Sequence, residues 1–338
     1  MGQAMARSIS TSDFTLSIVT TLYRSSATIA AFHARCSAVA ATLTSRVEFI
    51  LVDDGSPDDS LAVARSLMAQ DSRVVVLELA RNFGHHKAMM TGLAHARGDL
   101  VFLIDCDLEE PPEVLTRFHA EMTAGAWDVV YGVQNRRRGG LFERLSGAVF
   151  FTLVEALSDL PLPRNLITAR LMSRPYVQAL VAHRDREMQI SHLWAITGFR
   201  QTALPVEKLS LSPTSYSLGR KIDMAVKHIT TTSTKILYFI LYSGFAISAA
   251  SVAYICYSLF KYFVYGAVVS GYYSLIVSLW FFGGVTIFIL GILGIYIANI
   301  LSEVKRRPYT HLRAIHRADD GEPFADDPTH SPMDPFRP

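Results

Sequence analysis

Two long uncharged stretches near the end of the sequence limit the folds open to this chain more than any other feature. From Ile236 to Ser302 the only charged residue is Lys261. The stretches Ile236–Phe260 and Leu275–Leu301 each exceed the roughly 20 apolar residues with which an α-helix crosses a bilayer. The sequence therefore predicts a two-helix transmembrane hairpin over residues 236–303, with a hydrophobic hairpin of a soluble protein as the alternative.

The positions of lysine and arginine around this hairpin predict its orientation. The connecting loop, residues 265–273, contains neither, whereas basic residues stand before the first stretch and after the second: Lys221, Lys227, Lys235, Lys305, Arg306 and Arg307. Because basic residues are retained on the cytoplasmic side of a membrane, both termini and the region before the hairpin are expected in the cytoplasm. Glycines in the second stretch allow close helix contact, and so a homo-oligomer.

The segments that flank the hairpin and begin the chain are polar or amphipathic. Residues 218–235 mix apolar with basic side chains, which predicts an amphipathic helix in the membrane interface. An ordinary surface helix is the alternative. Residues 1–13 are polar and lack an apolar core, so no signal peptide is expected there. Residues 1–13 and 304–338 are both expected to be disordered, the second because it is poor in apolar side chains.

Residues 14–217 alternate apolar runs with stretches of helical period. Buried strands are predicted at 16–23, 47–53, 74–80, 100–104 and 127–133, and helices lie between them, among them 58–70 and 86–96. Strands that alternate with helices form a mostly parallel sheet through right-handed crossovers. We therefore expect one Rossmann-like α/β domain with helices on both faces of its sheet.

Polar residues follow these strands where each one ends. They are Thr20, Thr21 and Tyr23, then Asp53 and Asp54, then Arg81 and Asn82, and finally Asp105 and Asp107. Ligands of such sheets bind at the carboxyl ends of the strands. The sequence has neither a GxGxxG fingerprint nor a Walker loop, so a diphosphate held at this edge would need a metal ion. His85 and His86 are assigned to a helix N-terminus rather than to a phosphate contact.

The stretch Asp105-Cys106-Asp107 predicts a cation site. On an extended backbone, residues two apart point to the same side, so Asp105 and Asp107 present two carboxylates together. Hard oxygen ligands suit Mg²⁺ or Mn²⁺, which also bind substrate phosphates. Glu109, two residues further on, is a candidate third ligand. A solvated acidic turn is the alternative.

A basic segment, residues 134–147, follows the last predicted strand. Four arginines could clamp phosphates, because the guanidinium group matches phosphate oxygens: Arg136, Arg137, Arg138 and Arg144. A solvated basic loop beside an anionic membrane surface is an equal alternative.

Composition excludes few classes of function. Of the 338 residues, 50% are hydrophobic and 18% are charged, and the net charge of +2 argues neither for nor against nucleic acid, which is not expected as a partner. Cys36, Cys106 and Cys256 are widely spaced and form no disulfide or zinc pattern, which fits a reducing, cytosolic setting.

Several segments, taken in order, resemble a known family. They are SIVTTLY, LVDDGSPDD, RNFGHHKAMMTGLAHARGD, IDCDLEEPPE, DVVYGV and RLMSR, followed by the paired membrane stretches. Together they resemble family 2 glycosyltransferases, and most of all the membrane-anchored polyprenyl-phosphate glycosyltransferases, over residues 14–303.

The resemblance implies a GT-A fold and a multi-pass enzyme of the bacterial inner membrane. Such an enzyme moves a sugar from a nucleotide sugar, here expected to be UDP-linked, to undecaprenyl or another polyprenyl phosphate, for cell-envelope glycan synthesis or modification. The Gln-x-x-Arg-Trp signature of processive synthases is absent, so one sugar per encounter is expected.

The resemblance also assigns roles to individual residues. Leu22 and Tyr23, with Asp53 and Asp54, would hold the base and ribose, and Arg81 would lie beside the base. Thr20 is also assigned to the nucleotide site, because it lies near the end of the first strand.

The remaining assignments concern the phosphates. By the resemblance, Asp105 and Asp107 would form the metal and diphosphate motif. Asp107 and the arginines at 136, 138 and 144 are predicted as the catalytic group, the arginines from the charge of their segment.

The sequence also departs from the family pattern. Its first strand continues as TTLYRSS rather than Pro-x-Tyr-Asn-Glu, and Thr168 stands where several relatives have an aspartate proposed for catalysis. A phosphate acceptor is already anionic at pH 7 and needs little help from a base. Thr168 is therefore compatible with direct displacement at the anomeric carbon, which inverts its configuration.

Two other functions remain open from the sequence. A transferase acting on a hydroxyl of a lipid-linked saccharide would need a base, for which Glu187 is a candidate. An inactive membrane scaffold that keeps the fold is the second. The sequence specifies neither the sugar nor the oligomeric state.

Overall fold

The structure of the protein, a computed structural model, describes residues 14–134, 165–186, 188–209, 235–265 and 271–318. These residues belong to two units, of which the first holds a β-sheet and the second holds two long helices. Several predictions lie outside the described residues. They concern residues 1–13, the arginines at 136, 137, 138 and 144, the candidate base Glu187, the interfacial helix before Lys235 and residues 319–338.

Eight strands of the described residues form one sheet. They are β1 (Leu16–Leu22), β2 (Val47–Asp53), β3 (Val74–Leu79), β4 (Leu100–Leu103), β5 (Val129–Gln134), β6 (Leu166–Ser173), β7 (Gln201–Val206) and β8 (Leu312–His316). Their order across the sheet is β7-β5-β6-β4-β1-β2-β3-β8.

The central strands of this sheet are parallel, as their sequences predict. Every residue of β1, β2, β3 and β4 is buried, which fits apolar runs covered on both faces. β1 lies between β2 and β4, and β2 pairs with β3, all in parallel. The sheet as a whole is mixed, because β6 pairs antiparallel with β4 and β5, and β8 pairs antiparallel with β3.

Helices pack on both faces of the sheet, which confirms a mixed α/β domain. One face carries α1 (Ile29–Ala40), α2 (Ser60–Gln70) and α4 (Val114–Gly125), and the other carries α3 (His85–His95), α5 (Arg174–Val181) and α6 (Ile190–Ile196). Phe32 and Phe118 lie in the first core, and Leu93 and Tyr176 lie in the second.

The expectation that residues 304–338 are disordered is wrong for the part that forms β8. Leu312–His316 extend the sheet at the edge of β3, and the preceding Tyr309 and Thr310 are buried. The hydroxyl of Thr310 lies 2.9 Å from that of Thr91 in α3. An exposed strand edge has unpaired N–H and C=O groups, and β8 satisfies them for β3.

The second unit contains α7 (Lys235–Tyr265) and α8 (Tyr272–Val304). Within the described residues, one helical stretch, Ser278–Val304, is both long and apolar enough to cross a bilayer, with a mean hydropathy of 2.3. The first part of α7, Lys235–Ile247, is a shorter apolar stretch. One membrane span therefore meets the criterion, and a second span stays a prediction.

Candidate active site

The carboxyl ends of three neighbouring strands bring the predicted polar residues to one edge of the sheet. In the register of the sheet, Leu22 at the end of β1 lies beside Asp53 at the end of β2. The chain continues from β4 along β1, since the N–H of Ile104 donates to the carbonyl of Val19 over 3.1 Å. The segment that carries Asp105 therefore follows β4 at the same edge.

Asp105 is held from two sides. The hydroxyl of Thr168 donates to its Oδ2 over 2.7 Å, and the Nε2 atom of His85 lies 3.3 Å from its Oδ1. Burial alone would raise the pKa of Asp105, but these two contacts outweigh it, and the pKa lies below its usual range. Asp105 therefore presents an ionised carboxylate in a fixed orientation.

Asp107 is exposed beyond the end of β4. One of its oxygens accepts the N–H of Glu109 over 2.9 Å. Partial burial and the nearby Asp105 carboxylate raise its pKa above the usual range. The two carboxylates repel each other, and a cation between them would relieve the repulsion.

The donor set around these carboxylates fits a cation that binds together with a phosphate ligand. Among the described residues, no group of three or more His, Cys, Asp and Glu side chains is placed to hold a metal. Mg²⁺ is usually bound by one or two carboxylates and completes its shell with water and substrate phosphates. The oxygens of Asp105 and Asp107 meet that description, whereas an all-protein cage is not formed by this part of the chain.

Glu109, the predicted third ligand, faces a cation of the chain itself. Its Oε2 lies 3.0 Å from the Nζ atom of Lys208, and its carbonyl accepts the N–H of Leu209 over 2.7 Å. Binding of a metal by Glu109 would compete with this ion pair, so its role as a ligand stays a prediction.

Asp54 organises the turn that leads into α3. Its two oxygens accept the N–H groups of Phe83, over 2.7 Å, and of Gly84, over 3.0 Å. Gly55 permits this approach, because a Cβ there would lie 2.5 Å from the carbonyl carbon of Arg81. The turn therefore depends on Asp54, which makes this residue a structural part of the edge whatever else it binds.

Asp53 is almost completely buried, and its Oδ1 has no hydrogen-bond partner among the described residues. Burial raises its pKa to about 6, although the N–H groups of Ser56 and Gly55 oppose this. An unpaired buried carboxylate oxygen is costly, and a ligand that donates a hydrogen bond would satisfy it.

The other predicted nucleotide-binding residues differ in exposure. Tyr23 is 47% exposed, and the Arg81 guanidinium is stacked over the Phe83 ring at 4.1 Å. Thr20 and Leu22 are fully buried, and Leu22 packs in the core beneath α1. A contact between Leu22 and a ligand would therefore have to use the backbone, and these assignments stay predictions.

Four residues of the edge were not identified as site residues from the sequence. Glu110 is 1% exposed and accepts the N–H groups of Thr168, over 3.1 Å, and Ala169, over 2.7 Å. Lys208 approaches both Glu109 and Glu110, at 3.0 Å and 3.9 Å. Of these residues, only Thr168 was singled out by the sequence, because it departs from the family pattern. The others could not be found in this way, because their contacts join distant parts of the chain.

His85 is the fourth, and its assignment to a helix N-terminus alone was incomplete. It does begin α3, but its ring also contacts a residue of β1 and a residue that follows β4. Its Nδ1 lies 2.9 Å from the hydroxyl oxygen of Thr21, and its Nε2 faces Asp105.

The amino-acid sequence of the chain is similar to those of known glycosyltransferases. Residues 17–180 match the family model of glycosyl transferase family 2. The chain is 46% identical over 304 residues to a protein of Mycobacterium tuberculosis named putative glycosyltransferases, covering 90% of this chain and 89% of the relative. It is 33% identical over 273 residues to the SfII prophage-derived bactoprenol glucosyl transferase of Shigella flexneri, covering 80% and 88%. A solved mannosyltransferase from Pyrobaculum calidifontis is 15% identical, with a TM-score of 0.47 over 87% of both chains.

Proposed function

This chain belongs to glycosyl transferase family 2, and from that premise we propose that it transfers a sugar from a UDP-linked donor to a polyprenyl phosphate in a membrane. The observation that carries the proposal is the placement of Asp105 and Asp107 just past the end of β4. The acceptor is supported by the Shigella flexneri relative, which is named a bactoprenol glucosyl transferase.

The two carboxylates are proposed to hold Mg²⁺ or Mn²⁺ together with the diphosphate of the donor. When bound, such a cation neutralises the negative charge that develops on the leaving nucleoside diphosphate. The chain contributes two acidic side chains, one of which, Asp105, is fixed by Thr168 and His85. The positive charge of Lys208 favours the ionised forms of both Asp105 and Asp107 and lowers the pKa of each.

The nucleoside is proposed to bind where β1 and β2 end. Asp53 supports this, because its unpaired Oδ1 can accept a hydrogen bond from a ribose hydroxyl or a base N–H. Tyr23 and Arg81 expose an aromatic ring and a guanidinium group at the same edge, and both can stack on a base.

The acceptor is proposed to be a phosphate rather than a hydroxyl. An oxygen of the polyprenyl phosphate attacks the anomeric carbon, the bond from that carbon to the diphosphate oxygen breaks, and UDP leaves with the electron pair. Thr168 supports a mechanism without a protein base, because its hydroxyl proton is donated to Asp105. Arg136, Arg138 and Arg144 are proposed to bind the phosphates.

The domain organisation is proposed to follow from the sequence. Residues 14–217 form the catalytic domain in the cytoplasm, residues 218–235 lie in the interface, and residues 236–303 span the membrane twice, as α7 and α8. Support comes from the apolar stretch Ser278–Val304, which is long enough to cross a bilayer, and from the absence of charge between Ile236 and Phe260.

The proposal is tested by incubating membranes that contain the full chain with a panel of labelled UDP- and GDP-sugars and added polyprenyl phosphate. Label is expected in the lipid extract with one UDP-sugar, and chelation of divalent cations should remove it. Asp107→Asn should also remove the label. Asp128→Asn should not, because Asp128 precedes the first residue of β5, whereas the site lies at the carboxyl ends of the strands.

Three results would contradict the proposal. Label that appears only when a lipid-linked saccharide is supplied would favour transfer to a hydroxyl. Full activity of Asp107→Asn in excess chelator would exclude the cation site. Absence of both transfer and sugar-nucleotide hydrolysis with every donor would favour a scaffold.

A further inference from the structure

We infer that His85 is a positioning residue, which holds Asp105 in the orientation needed for a cation and a diphosphate to bind. This inference rests on the proposed function, because it deepens the site at Asp105 and Asp107. Its evidence is the pair of contacts that His85 makes with Thr21 of β1 and with Asp105 after β4.

Both ring nitrogens of His85 are engaged. Nδ1 lies 2.9 Å from the hydroxyl oxygen of Thr21 in β1, and Nε2 lies 3.3 Å from Oδ1 of Asp105 after β4. These contacts fit a ring in which Nε2–H donates to the carboxylate and Nδ1 accepts the hydroxyl proton of Thr21. The ring cannot turn without losing both contacts, so Thr21 fixes the direction in which His85 donates.

Asp105 is in turn held on both of its oxygens. Thr168 donates to Oδ2 over 2.7 Å, and His85 faces Oδ1. A carboxylate has about four lone-pair positions, so two remain to bind a cation after these contacts are made. Their direction is set by where His85 and Thr168 lie.

The backbone of His85 is itself fixed by the site. The N–H groups of Phe83 and Gly84 donate to Asp54, which shapes the turn just before α3 begins. Gly84 has a φ of +100°, a conformation that favours glycine. Contacts thus run from Asp54 through the turn to His85, and from His85 to Asp105.

His85 is not simply a core histidine. Its side chain is 48% exposed, so burial alone does not account for its placement. His86, the next residue, makes a different contact, since its Nδ1 lies 3.3 Å from the carbonyl oxygen of Met188. The two histidines therefore provide a matched comparison on one helical turn.

The test compares His85→Gln with His85→Met in the full chain, purified in detergent. The two replacements have similar volume, but only the glutamine can donate a hydrogen bond to Asp105. Binding of Mn²⁺ in the presence of UDP is measured by electron paramagnetic resonance. Removing a residue that orients a metal ligand typically weakens metal binding about 10- to 100-fold. We expect a loss in that range for His85→Met and most of the affinity to remain in His85→Gln.

Controls separate positioning from folding. His86→Ala should bind Mn²⁺ with unchanged affinity. The melting temperatures of His85→Gln and His85→Met should agree, because both replace the same half-exposed ring. Equal Mn²⁺ affinity of these two variants, or a loss explained by a lower melting temperature of His85→Met, would overturn the inference.

Asp105→Asn distinguishes failure of the inference from failure of the proposed function. If Asp105→Asn loses Mn²⁺ binding while His85→Met keeps it, His85 has no positioning role and the proposed cation site stands. If Asp105→Asn binds Mn²⁺ as well as the unchanged protein, the cation site itself is wrong and the inference fails with it.

Discussion

The carboxylate of Glu110 accepts the N–H of Ala169 over 2.7 Å, and so joins the loop after β4 to the strand β6. Its other oxygen accepts the N–H of Thr168 over 3.1 Å. Because Thr168 donates to Asp105, Glu110 supports the active-site edge without facing the solvent. Loop and strand are distant in sequence, and Glu110 joins them together with the hydrogen bond from Thr168 to Asp105.

Replacing Glu110 should therefore destabilise the catalytic domain. Glu110→Ala leaves two buried N–H groups without their acceptor, and each such loss costs about 1–3 kcal/mol. We expect the free energy of unfolding, measured by urea titration in detergent, to fall by about 2 kcal/mol or more. Glu113→Ala is the control, since its pair with Arg35 is exposed and worth less than about 1 kcal/mol. Equal losses in the two variants would contradict this assignment.

Asp71 should make stability depend on pH at the acid end. Hydrogen bonds from Arg73, together with its charge and that of His33, lower the pKa of Asp71 to about 2. An aspartate of the unfolded chain titrates near pH 4, so the unfolded state binds more protons between about pH 4 and pH 2. The contribution of Asp71 is present above that window and is lost as the pH falls through it.

Asp71→Asn should remove this contribution. The free energy of unfolding of the variant should decline less between about pH 4 and pH 2 than that of the unchanged protein. The difference should stay below about 1 kcal/mol, because Arg73 is partly exposed. Asp59→Asn, at an exposed position, serves as the control. Parallel pH profiles for Asp71→Asn and the unchanged protein would refute the assignment.

The strand β8, which follows α8 in the sequence, should stabilise the sheet by pairing with β3. A chain that ends after Arg307 loses Tyr309, which is 4% exposed, and leaves the edge of β3 unpaired. Burial of one large apolar side chain contributes about 2 kcal/mol, so we expect at least that loss in unfolding free energy. A chain that ends after Ala318 keeps β8 and is the matched control. If both truncated chains melt at the same temperature, β8 contributes nothing to stability.

Asp53 should contribute to binding of the nucleotide. Asp53→Ala removes the carboxylate whose Oδ1 lacks a partner. A hydrogen bond to a charged group is worth about 1.5–3 kcal/mol, which corresponds to a roughly 10- to 100-fold loss of UDP affinity by calorimetry. Asp128→Asn should leave the affinity unchanged. UDP binding of Asp53→Ala equal to that of the unchanged protein would remove Asp53 from the nucleotide site.

Patterns within single segments were sufficient to predict much of the fold. The short apolar runs before Asp53 and Asp105 lie in β2 and β4, as expected for strands that are covered on both faces of a sheet. The strand β6 was not predicted, although it lies between β4 and β5. Its place depends on antiparallel pairing with two strands, which no pattern inside Leu166–Ser173 encodes.

The sequence predicted that the polar residues after the strands lie at one edge of the sheet, but it did not predict which side chains they contact. The sequence predicted that Asp105 and Asp107 lie on one side of an extended chain. In the structure β4 ends at Leu103 and Asp107 lies in a turn, so the extended backbone on which that prediction relied is absent, and a shared cation site stays a prediction. The sequence did not indicate that His85 and Thr168 hold Asp105, or that Lys208 faces Glu109. Those contacts join segments separated by whole strands and helices.

The sequence by itself determined which segments are buried strands, which are long and apolar, and where acidic side chains follow a strand. These properties depend on hydrophobic periodicity and local backbone geometry, which act over a few neighbouring residues. Only the tertiary structure decided that the chain beyond α8 returns as β8, and that His85 bridges Thr21 and Asp105. Such contacts are set by sheet order and register, which arise when distant segments pack against one another.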